Sequence, residues 1–223
     1  MDDAKEKSTQ QPVDVQVPAA VVSRLSLYLR ELQELVRAGQ ETTNSTQLGK
    51  KLGFTDAQVR KDLAYFGQFG YPGIGYRCEE LIPAIKRILG TDRSWPVAVV
   101  GLGNLGRALL GYRGFDEQGF RVVAAFDVDP DQLQQDVDSV ETFHLDRLSE
   151  VVKEKAIRLG IIAVPAAAAQ EVATKLVDAG VDGVLNFAPV TLALPDHVSR
   201  VGVDLAIELE QLSFAVVNRP ENP

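Results

Sequence analysis

The sequence predicts an α/β chain in two parts, an N-terminal winged helix-turn-helix unit and a C-terminal domain built on a parallel sheet. Three observations predict this fold class. Short amphipathic helical segments with glycine stops fill roughly the first 90 residues. A glycine motif, Gly101-Leu-Gly-Asn-Leu-Gly106, directly follows the apolar run Pro96-Val-Ala-Val-Val100. Beyond it, apolar strands and helical segments alternate, as βαβ units require.

Composition indicates a folded protein of one or two domains, with 223 residues and 45% hydrophobic side chains. No apolar stretch approaches ~18–20 residues, so no membrane span is expected. The single cysteine, Cys78, forms no internal disulfide and the N-terminus lacks a secretory signal, which fits a cytoplasmic location. We interpret Cys78 as a small residue near a helix start in preference to a reactive thiol. His144 and His197 match no metal spacing, so no metal site is expected.

Charge differs between the two halves. The net charge is −8, but residues 18–93 carry 11 basic and 8 acidic side chains, a net +3. Residues 94–223 carry 10 basic and 19 acidic side chains, a net −9. A basic half beside an acidic half indicates a nucleic-acid partner for the basic one, although +3 is weak and the placement of each Arg and Lys must decide.

The N-terminal elements are set by helix starts and stops. Residues 1–17 are polar without a period and are predicted to be a disordered tail, followed by a winged-helix domain over 18–90. Pro18 suits the first helical position, and Gly39 ends the first helix. The apolar stripe of this helix is Val22, Leu25, Leu29, Leu32 and Val36.

Two short helices joined by a glycine-containing turn predict a helix-turn-helix. Asn44-Ser45 caps the first, Thr46–Leu52. A capping box, Thr55 to Gln58, opens the second, about Asp56–Phe66, in which the Thr hydroxyl caps the backbone while Gln58 reaches back. The inner stripe of this helix is Val59, Leu63 and Phe66. The glycine- and aromatic-rich segment 67–76 then predicts a β-hairpin wing, and a fourth helix follows at Glu79–Leu89.

The second domain is predicted over 95–203, after a hinge at Thr91–Trp95. Strands are expected at Val97–Val100, Val122–Phe126, Leu159–Val164 and Val184–Phe187, with helices at Leu105–Gly111 and Ala167–Ala179 and a further candidate strand at Val201–Val203. The segment Asp129–Asp146 lacks a period and is expected to be a loop with one helical turn at most. Residues 204–218 are predicted as a terminal helix with Leu205, Leu209, Leu212 and Val216 on one side, a stripe that packing on its own domain would also explain.

The glycine motif has the surroundings of a Rossmann dinucleotide site, with a strand before it and a helix after it. Gly101 makes the tight turn, Gly103 lets the backbone approach a pyrophosphate, and Gly106 lets helix and strand pack closely. The other loop residues, Leu102, Asn104 and Leu105, bring the N–H groups of the helix start toward the phosphates.

Asp127 supplies the acid that such a site needs at the end of the next strand, 21 residues beyond Gly106. Its carboxylate should accept hydrogen bonds from ribose hydroxyls and repel a 2′-phosphate, so NAD(H) is expected in preference to NADP(H). Asp129 is the alternative carboxylate.

The third helix carries a candidate DNA-reading face off its inner stripe: Gln58, Arg60, Lys61 and Tyr65. Arg and Lys suit phosphate or guanine, and Gln suits adenine. Tyr71, Tyr76 and Arg77 around the wing are expected to reach an adjacent groove, and Arg24, Lys50 and Lys51 to anchor the DNA backbone. A solvated charged face would carry the same residue types.

With both parts placed, the chain resembles the redox-sensing transcriptional repressors of the Rex family, from about Val17 to Val217. The resemblance rests on these segments: Val17-Pro-Ala-Ala-Val-Val-Ser-Arg-Leu25, Gln58-Val-Arg-Lys-Asp-Leu63, Tyr65-Phe-Gly67, Gly73-Ile-Gly-Tyr76, the glycine motif, Phe126-Asp-Val-Asp-Pro130, Asn186-Phe-Ala-Pro189 and Leu212-Ser-Phe214.

The resemblance implies a non-enzymatic homodimer that binds double-stranded DNA at a palindromic operator, represses transcription and is released by NADH, with NAD⁺ favouring the DNA-bound form. It implies a terminal helix exchanged between subunits. It also implies further cofactor contacts at Val164, Pro165, Asn186, Pro189 and Tyr112, and a redox switch made of Arg30, Tyr112 and Asp204. Without the resemblance, these three are a surface Arg, a loop Tyr and a helix N-cap Asp.

Two alternatives remain from the residues. An NAD-dependent dehydrogenase with an N-terminal helical extension would need an acid or base near the nicotinamide. Neither of the two His residues lies in a clear loop after a predicted strand, where such a group would be expected. A nucleotide- or CoA-binding module could instead dock a protein partner through the N-terminal helices.

Overall fold

A computed structural model of the protein describes residues 17–133 and 140–219. The chain divides between Asp92 and Arg93 into two units, and buried clusters form separately in each. The prediction of a disordered tail over 1–17 lies outside the described residues except for Val17. Within the described ranges, no helix is long and apolar enough to cross a membrane.

The first unit is built on helices α1 (Ala19–Arg37), α2 (Ser45–Leu52), α3 (Asp56–Ala64) and α4 (Cys78–Leu89). The buried face of α1 differs from the predicted stripe at its ends, because Val22 and Val36 are 40% and 48% exposed. Tyr28 and Val21 are buried instead. The stripe of α3 is confirmed at Val59 and Leu63, which are buried, and Phe66 packs beside them just beyond the helix.

The predicted N-cap hydrogen bonds of α2 and α3 both form, but the reciprocal bond of the capping box does not. The Asn44 side chain accepts from the backbone N–H of Gln47, and Thr55 accepts from that of Gln58. The prediction that the Gln58 side chain reaches back to complete the capping box is wrong. Its Nε2 donates to Asp62 Oδ1 at 2.8 Å, because that charged acceptor lies one turn along the same helix.

The wing is a three-stranded antiparallel sheet of β1 (Thr42–Thr43), β2 (Gly70–Tyr71) and β3 (Gly75–Arg77), with β3 in the middle. Strand β1 was not predicted, because two residues carry no period. Gly75 is required where it contacts β1, since a Cβ there would lie 2.2 Å from the Thr43 carbonyl oxygen.

The second unit contains a parallel sheet of β4 (Trp95–Val100), β5 (Phe120–Asp127), β6 (Thr142–His144), β7 (Leu159–Ile162), β8 (Gly183–Asn186) and β9 (Ser199–Gly202). Their order among the described residues is β6-β5-β4-β7-β8-β9. This is the doubly wound order of dinucleotide-binding sheets, whose direction of winding reverses beside the first strand. The reversal lies next to β4, the strand that ends in the glycine motif.

Connections in the second unit are α5 (Asn104–Leu110), α6 (Gly114–Glu117), α7 (Leu148–Glu154), α8 (Ala166–Asp178) and the terminal α9 (Leu205–Val217). The prediction of a loop over Asp129–Asp146 is wrong in part. The expected helical turn forms as a 3-10 turn at Pro130–Leu133, but the segment also contains the edge strand β6, which was not predicted. Residues 134–139 lie outside the described ranges. Strand β6 is three residues long, too short for its pattern to show.

Candidate dinucleotide and nucleic-acid sites

The glycine motif forms a tight loop between β4 and α5. Gly101 has φ +99°, and a Cβ there would lie 2.5 Å from the Ala163 carbonyl oxygen. At Gly106 a Cβ would lie 1.8 Å from the Gly101 carbonyl oxygen, so helix and loop meet only without a side chain. Gly103 is exposed and has open space within 4 Å of its Cβ direction. The loop therefore leaves one face of bare backbone accessible to a ligand.

Asp127 braces this loop from the end of β5. Its Oδ2 accepts from the Leu102 N–H at 2.6 Å, and its Oδ1 accepts from the Asp129 N–H at 2.9 Å. Asp129 is exposed, and its Oδ1 accepts from the Asp131 N–H. Asp127, half-buried beside the glycine loop, is therefore the better-placed carboxylate to meet ribose hydroxyls.

A cavity of about 380 Å³ lies at this point, where the sheet reverses. Its lining brings together six of the expected positions or their neighbours: Val100, Gly101, Gly103, Asp127, Val164 and Pro165. The volume is in the range of ligand sites. Lys175 and Glu171 also line the cavity and pair with each other at 2.9 Å. The open backbone at Gly103 and the carboxylate at Asp127 fit the pyrophosphate and ribose of a dinucleotide.

Other loop residues differ in exposure. Asn104 and Leu105 are exposed at the start of α5, whereas Leu102 is fully buried in the core, so only its backbone is available to a ligand. Arg107 was not among the predicted site residues. Its guanidinium donates to the Leu102 carbonyl at 3.0 Å and to the Gln132 carbonyl at 3.1 Å, tying the glycine loop to the turn after β5. Only its place just after Gly106 could have signalled this.

A second cavity of about 470 Å³ contains Asn186, Pro189 and Asp204. The Asn186 side chain is engaged by its own turn. Its Nδ2 donates to the Ala188 and Val190 carbonyls, and its Oδ1 accepts from the Ala188 N–H, so the side chain shapes the turn after β8. Asp204 caps α9, with Oδ1 accepting from the Ala206 N–H at 2.9 Å.

Tyr112 lies apart from both cavities. It is 59% exposed and lines a different depression, with Arg113 and Arg121. Its ring meets Phe115 edge-on at 5.0 Å and covers Gly114, where a Cβ would lie 2.5 Å from the ring. The structure does not bring Tyr112 into the cavity of the glycine loop, where the resemblance expected it.

In the first unit, an exposed basic surface follows α2 and α3. Its members are Lys50, Lys51, Arg60, Lys61 and Tyr65, which we call the basic face. Arg60 Nη1 contacts Asp56 at 2.7 Å and the Ser45 hydroxyl at 3.1 Å, joining the two helices. Lys51 pairs with the buried Glu31 at 2.6 Å and keeps 59% of its side chain exposed. Arg30 is exposed on α1.

Three expected DNA contacts face inward. Gln58 is half-buried and turned toward Asp62, so the prediction that it faces outward with the basic face is wrong. Tyr76 is 8% exposed and packs in the core, because the middle strand of the wing sheet directs it there. Arg24 uses Nε and Nη2 to hold Asp62 at 2.6 and 2.8 Å, and its side chain is 20% exposed.

The base of the wing is held by one carboxylate. Glu80 accepts from the Tyr71 hydroxyl at 2.9 Å and from Arg77 Nη1 at 3.2 Å. The Arg77 guanidinium also lies 4.9 Å from the Tyr71 ring centroid. The hydrogen bond to Glu80 raises the pKa of Tyr71 above its usual value. Tyr71 and Arg77 are exposed and held in one geometry before any ligand arrives.

Cys78 is fully buried at the first position of α4, and burial raises the pKa of its thiol, which disfavours the reactive thiolate. His144 lies 3.2 Å from Asp146. Across residues 17–133 and 140–219, no group of three or more His, Cys, Asp or Glu side chains is arranged to hold a metal ion.

Comparisons with known proteins agree with both units. Residues 16–64 match a family model described as the N-terminus of putative DNA-binding proteins, and residues 92–190 match one described as a CoA binding domain. The redox-sensing transcriptional repressor Rex of Carboxydothermus hydrogenoformans is 50% identical over 200 residues, which cover 90% of this chain and 96% of that protein. This chain belongs to the Rex family. The Rex protein of Desulfitobacterium hafniense is 47% identical over 92% of this chain and 98% of its own length.

Solved structures of a Rex-family repressor called RSP share the fold. RSP in complex with β-NAD⁺ and operator DNA has a TM-score of 0.86 at 34% identity, covering 91% of this chain and 94% of RSP. RSP in complex with β-NADH has a TM-score of 0.83 at 33% identity, covering 91% and 95%. The predicted fold class is confirmed, apart from the exchange of the terminal helix, which stays a prediction.

Proposed function

We propose that this Rex-family chain is a DNA-binding repressor whose affinity for a palindromic operator is controlled by NADH and NAD⁺. One observation carries the proposal: the same chain holds a preformed dinucleotide loop braced by Asp127 and a helix-turn-helix with an exposed basic face. We place this activity in the cytoplasm, where both DNA and dinucleotide are present. The relatives named as repressors support a regulatory role in preference to catalysis.

Dinucleotide binding is assigned to the cavity of about 380 Å³ at the sheet reversal. The bare backbone of Gly103 would receive the pyrophosphate, and Val164 and Pro165 would form the apolar wall. Asp127 would accept from the ribose hydroxyls with the oxygen lone pairs not used by the loop N–H groups. A 2′-phosphate beside this carboxylate would be repelled, which favours NAD(H) over NADP(H).

DNA binding is assigned to the basic face. Arg60 and Lys61 lie on α3, which would enter the major groove, and Tyr65 follows at its end. Lys50 and Lys51 at the end of α2 would hold phosphates, and Arg77 with Tyr71 would extend the contact at the wing. We assign Arg24, Gln58 and Tyr76 to the support of this surface, since the structure turns each of them inward.

A second copy of the chain is the proposed cover for α9. This helix has no buried residue, although many of its side chains are apolar. Leu209, Leu212 and Phe214 are each at least 59% exposed. A surface this apolar is rarely left in water. Two copies related by a two-fold axis would also present two α3 helices to the two halves of a palindrome.

The redox response is assigned to Asp204, Tyr112 and Arg30, as the family resemblance implies. Oxidised nicotinamide is cationic and the reduced ring is neutral, so a carboxylate near the ring distinguishes them by charge. Asp204 lines the cavity beyond β8 and uses one oxygen to cap α9. A change in the hydrogen-bond partner of Asp204 would therefore also affect the start of α9. NADH must bind the DNA-releasing state more tightly, because a ligand of equal affinity for both states shifts nothing.

The proposal is tested by titrating a labelled operator complex with NADH and, separately, with NAD⁺. The operator is obtained by letting the purified chain select from a randomised duplex library. Release by NADH and retention with NAD⁺ at matched occupancy are expected. Equal release by both would exclude redox sensing, and turnover of hydroxy-acid or aldehyde panels with NAD⁺ would favour the dehydrogenase alternative.

A further inference from the structure

A buried ionic cluster joins α3 to α1 beneath the basic face. Asp62 is 1% exposed, and both of its oxygens are engaged. Arg24 donates through Nε to Oδ2 at 2.6 Å and through Nη2 to Oδ1 at 2.8 Å. The Tyr28 hydroxyl donates to Oδ2 at 2.8 Å, and Gln58 Nε2 donates to Oδ1 at 2.8 Å. Four donors thus converge on one carboxylate.

Asp62 stays ionised in this setting. Burial would raise the pKa of its carboxyl, but hydrogen bonds from Arg24, Tyr28 and Gln58 outweigh it, and the pKa lies below its usual value. Burial, followed by the hydrogen bond to Asp62, raises the pKa of Tyr28, which therefore remains a donor. Phe54 packs against both partners, edge-on to the Tyr28 ring at 6.0 Å and 6.0 Å from the Arg24 guanidinium carbon. Phe54 thus covers one side of the cluster, while the Arg24 side chain keeps 20% of its surface exposed.

The geometry of the cluster constrains rotation as well as distance. A guanidinium that meets a carboxylate with two nitrogens fixes the plane of both groups, which a purely apolar contact would not do. Because Asp62 lies next to Lys61 in sequence on a short helix, its angular position sets the direction of the basic face. The same carboxylate holds the Gln58 amide on the inner side, one turn earlier.

We propose that Asp62 is the positioning residue of the DNA-reading helix: it fixes the rotation of α3 on α1 and withdraws Gln58 from base contact. This inference rests on the proposed function of α3 as the reader. It assigns base selection to the outward residues of α3, with Arg60 and Lys61 foremost, and leaves Gln58 a structural role.

The test measures affinity and specificity together. Full-length variants Asp62→Asn and Tyr28→Phe are compared with the unsubstituted chain on the duplex that this chain selects and on a scrambled duplex, over a salt series. Glu34→Gln is the matched control, because it makes the same charge change in the same unit, at an exposed α1 residue paired with Arg37. NADH titration of every variant checks that the second unit is intact.

Asp62→Asn is expected to lower the ratio of selected to scrambled affinity about tenfold, the size of one lost base contact, with an unchanged salt slope. Tyr28→Phe, which keeps the Arg24 pair, is expected to lower it about threefold, and it tests the inference should Asp62→Asn not fold. Glu34→Gln should stay within about twofold of the unsubstituted chain, the scatter of such measurements.

Gln58→Ala tests whether the Gln58 side chain contributes to base recognition. Its base preferences at every operator position should match those of the unsubstituted chain. Relaxed preference at one position would overturn the inference, as would a specificity ratio within twofold of the original for both cluster variants. If the unsubstituted chain itself prefers no duplex, the proposed function fails instead, so the two failures are distinguishable.

Discussion

Gly103 and Gly106 lie three residues apart in one loop and have opposite surroundings. A methyl group at Gly106 would overlap the Gly101 carbonyl, at 1.8 Å, whereas a methyl at Gly103 would meet open space. The backbone of Gly103 is at φ −66°, which any residue adopts. Packing and ligand binding therefore depend on different glycines.

Gly106→Ala is expected to lower the melting temperature and abolish NADH binding, since the loop must move to admit the methyl group. For Gly103→Ala, the free energy of unfolding is expected to stay within about 0.5 kcal/mol of the original value. Its NADH affinity is still expected to fall at least tenfold. Thermal unfolding and NADH fluorescence titration measure the two effects. Full NADH affinity in Gly103→Ala would show that the phosphates bind elsewhere.

Asp62 predicts a pH dependence of stability in the first unit. Its pKa is lowered on folding from an unfolded value of 3.8, so its contribution is complete above that value and is lost as pH falls through the lower folded pKa. Near neutral pH, Asp62→Asn should cost about 2–3 kcal/mol, toward the low end for a broken buried pair because Arg24 is partly exposed.

The difference in unfolding free energy between the original and Asp62→Asn should therefore shrink as the pH falls below the unfolded value of 3.8 and through the lower folded pKa. Urea unfolding followed by circular dichroism measures it, while fluorescence of Trp95, the sole tryptophan, tracks the second unit. Other shifted carboxyls, including Asp56 and Glu150, are common to both proteins and cancel. A difference that is constant over this range would mean that Asp62 is not ionised in the fold.

Single residues were predictable where local geometry decides. The positive φ of Gly101 and the tight fit at Gly106 follow from the loop itself. The inward turns of Gln58, Tyr76 and Asn186 were not predictable, because each is set by an acceptor or core that the chain brings together only on folding.

At the scale of elements, α9 differs from the usual amphipathic helix because none of its apolar side chains is buried. Asp204 caps its start by accepting from the Ala206 N–H, yet none of the side chains of the helix is buried. Helices in water obtain most of their stability from packing of an apolar face. A helix of this composition therefore implies a partner surface.

Leu209→Glu combined with Leu212→Glu is expected to convert the proposed dimer to a monomer, since two charges would enter the surface that the second copy is proposed to cover. Sedimentation velocity measures the change. Glu210→Gln, on the same helix, leaves the apolar side chains in place and should remain dimeric. If the unsubstituted chain sediments as a monomer at all concentrations, α9 has another function.

Helices with capping side chains were predicted to within two residues at each end, as α2 and α3 show. The short strands β1 and β6 were missed, since two or three residues contain no readable alternation. They form because a neighbouring strand, β3 or β5, already offers unpaired backbone groups.

At the scale of the whole molecule, the proposed function requires coupling between the dinucleotide and DNA sites. Thermodynamic linkage makes this coupling reciprocal: if NADH weakens operator binding by some factor, the operator weakens NADH binding by the same factor. Allosteric couplings of this kind are about 5- to 150-fold.

Calorimetric titration of NADH into the free chain and into its operator complex should give affinities that differ by the factor measured from DNA release. Scrambled duplex at the same concentration is the control for non-specific binding. Unchanged NADH affinity in the presence of bound operator would contradict the coupling. The division into two units was predictable from motifs. The proposed ligands follow from the same motifs, whereas Arg30, Tyr112 and Asp204 carry no local sequence pattern that indicates the proposed redox switch.

The inward turn of Gln58 has a consequence for anyone redesigning this protein to recognise a new promoter. A library that randomises every polar residue of the motif Gln58-Val-Arg-Lys-Asp62 would place half of its polar variation on two side chains that are turned away from DNA. Changes at Gln58 would leave the base preference as it is, and changes at Asp62 would misorient α3. Fixing Gln58 and Asp62 while varying Arg60, Lys61 and Tyr65 should give a smaller library richer in functional members with altered sequence preference.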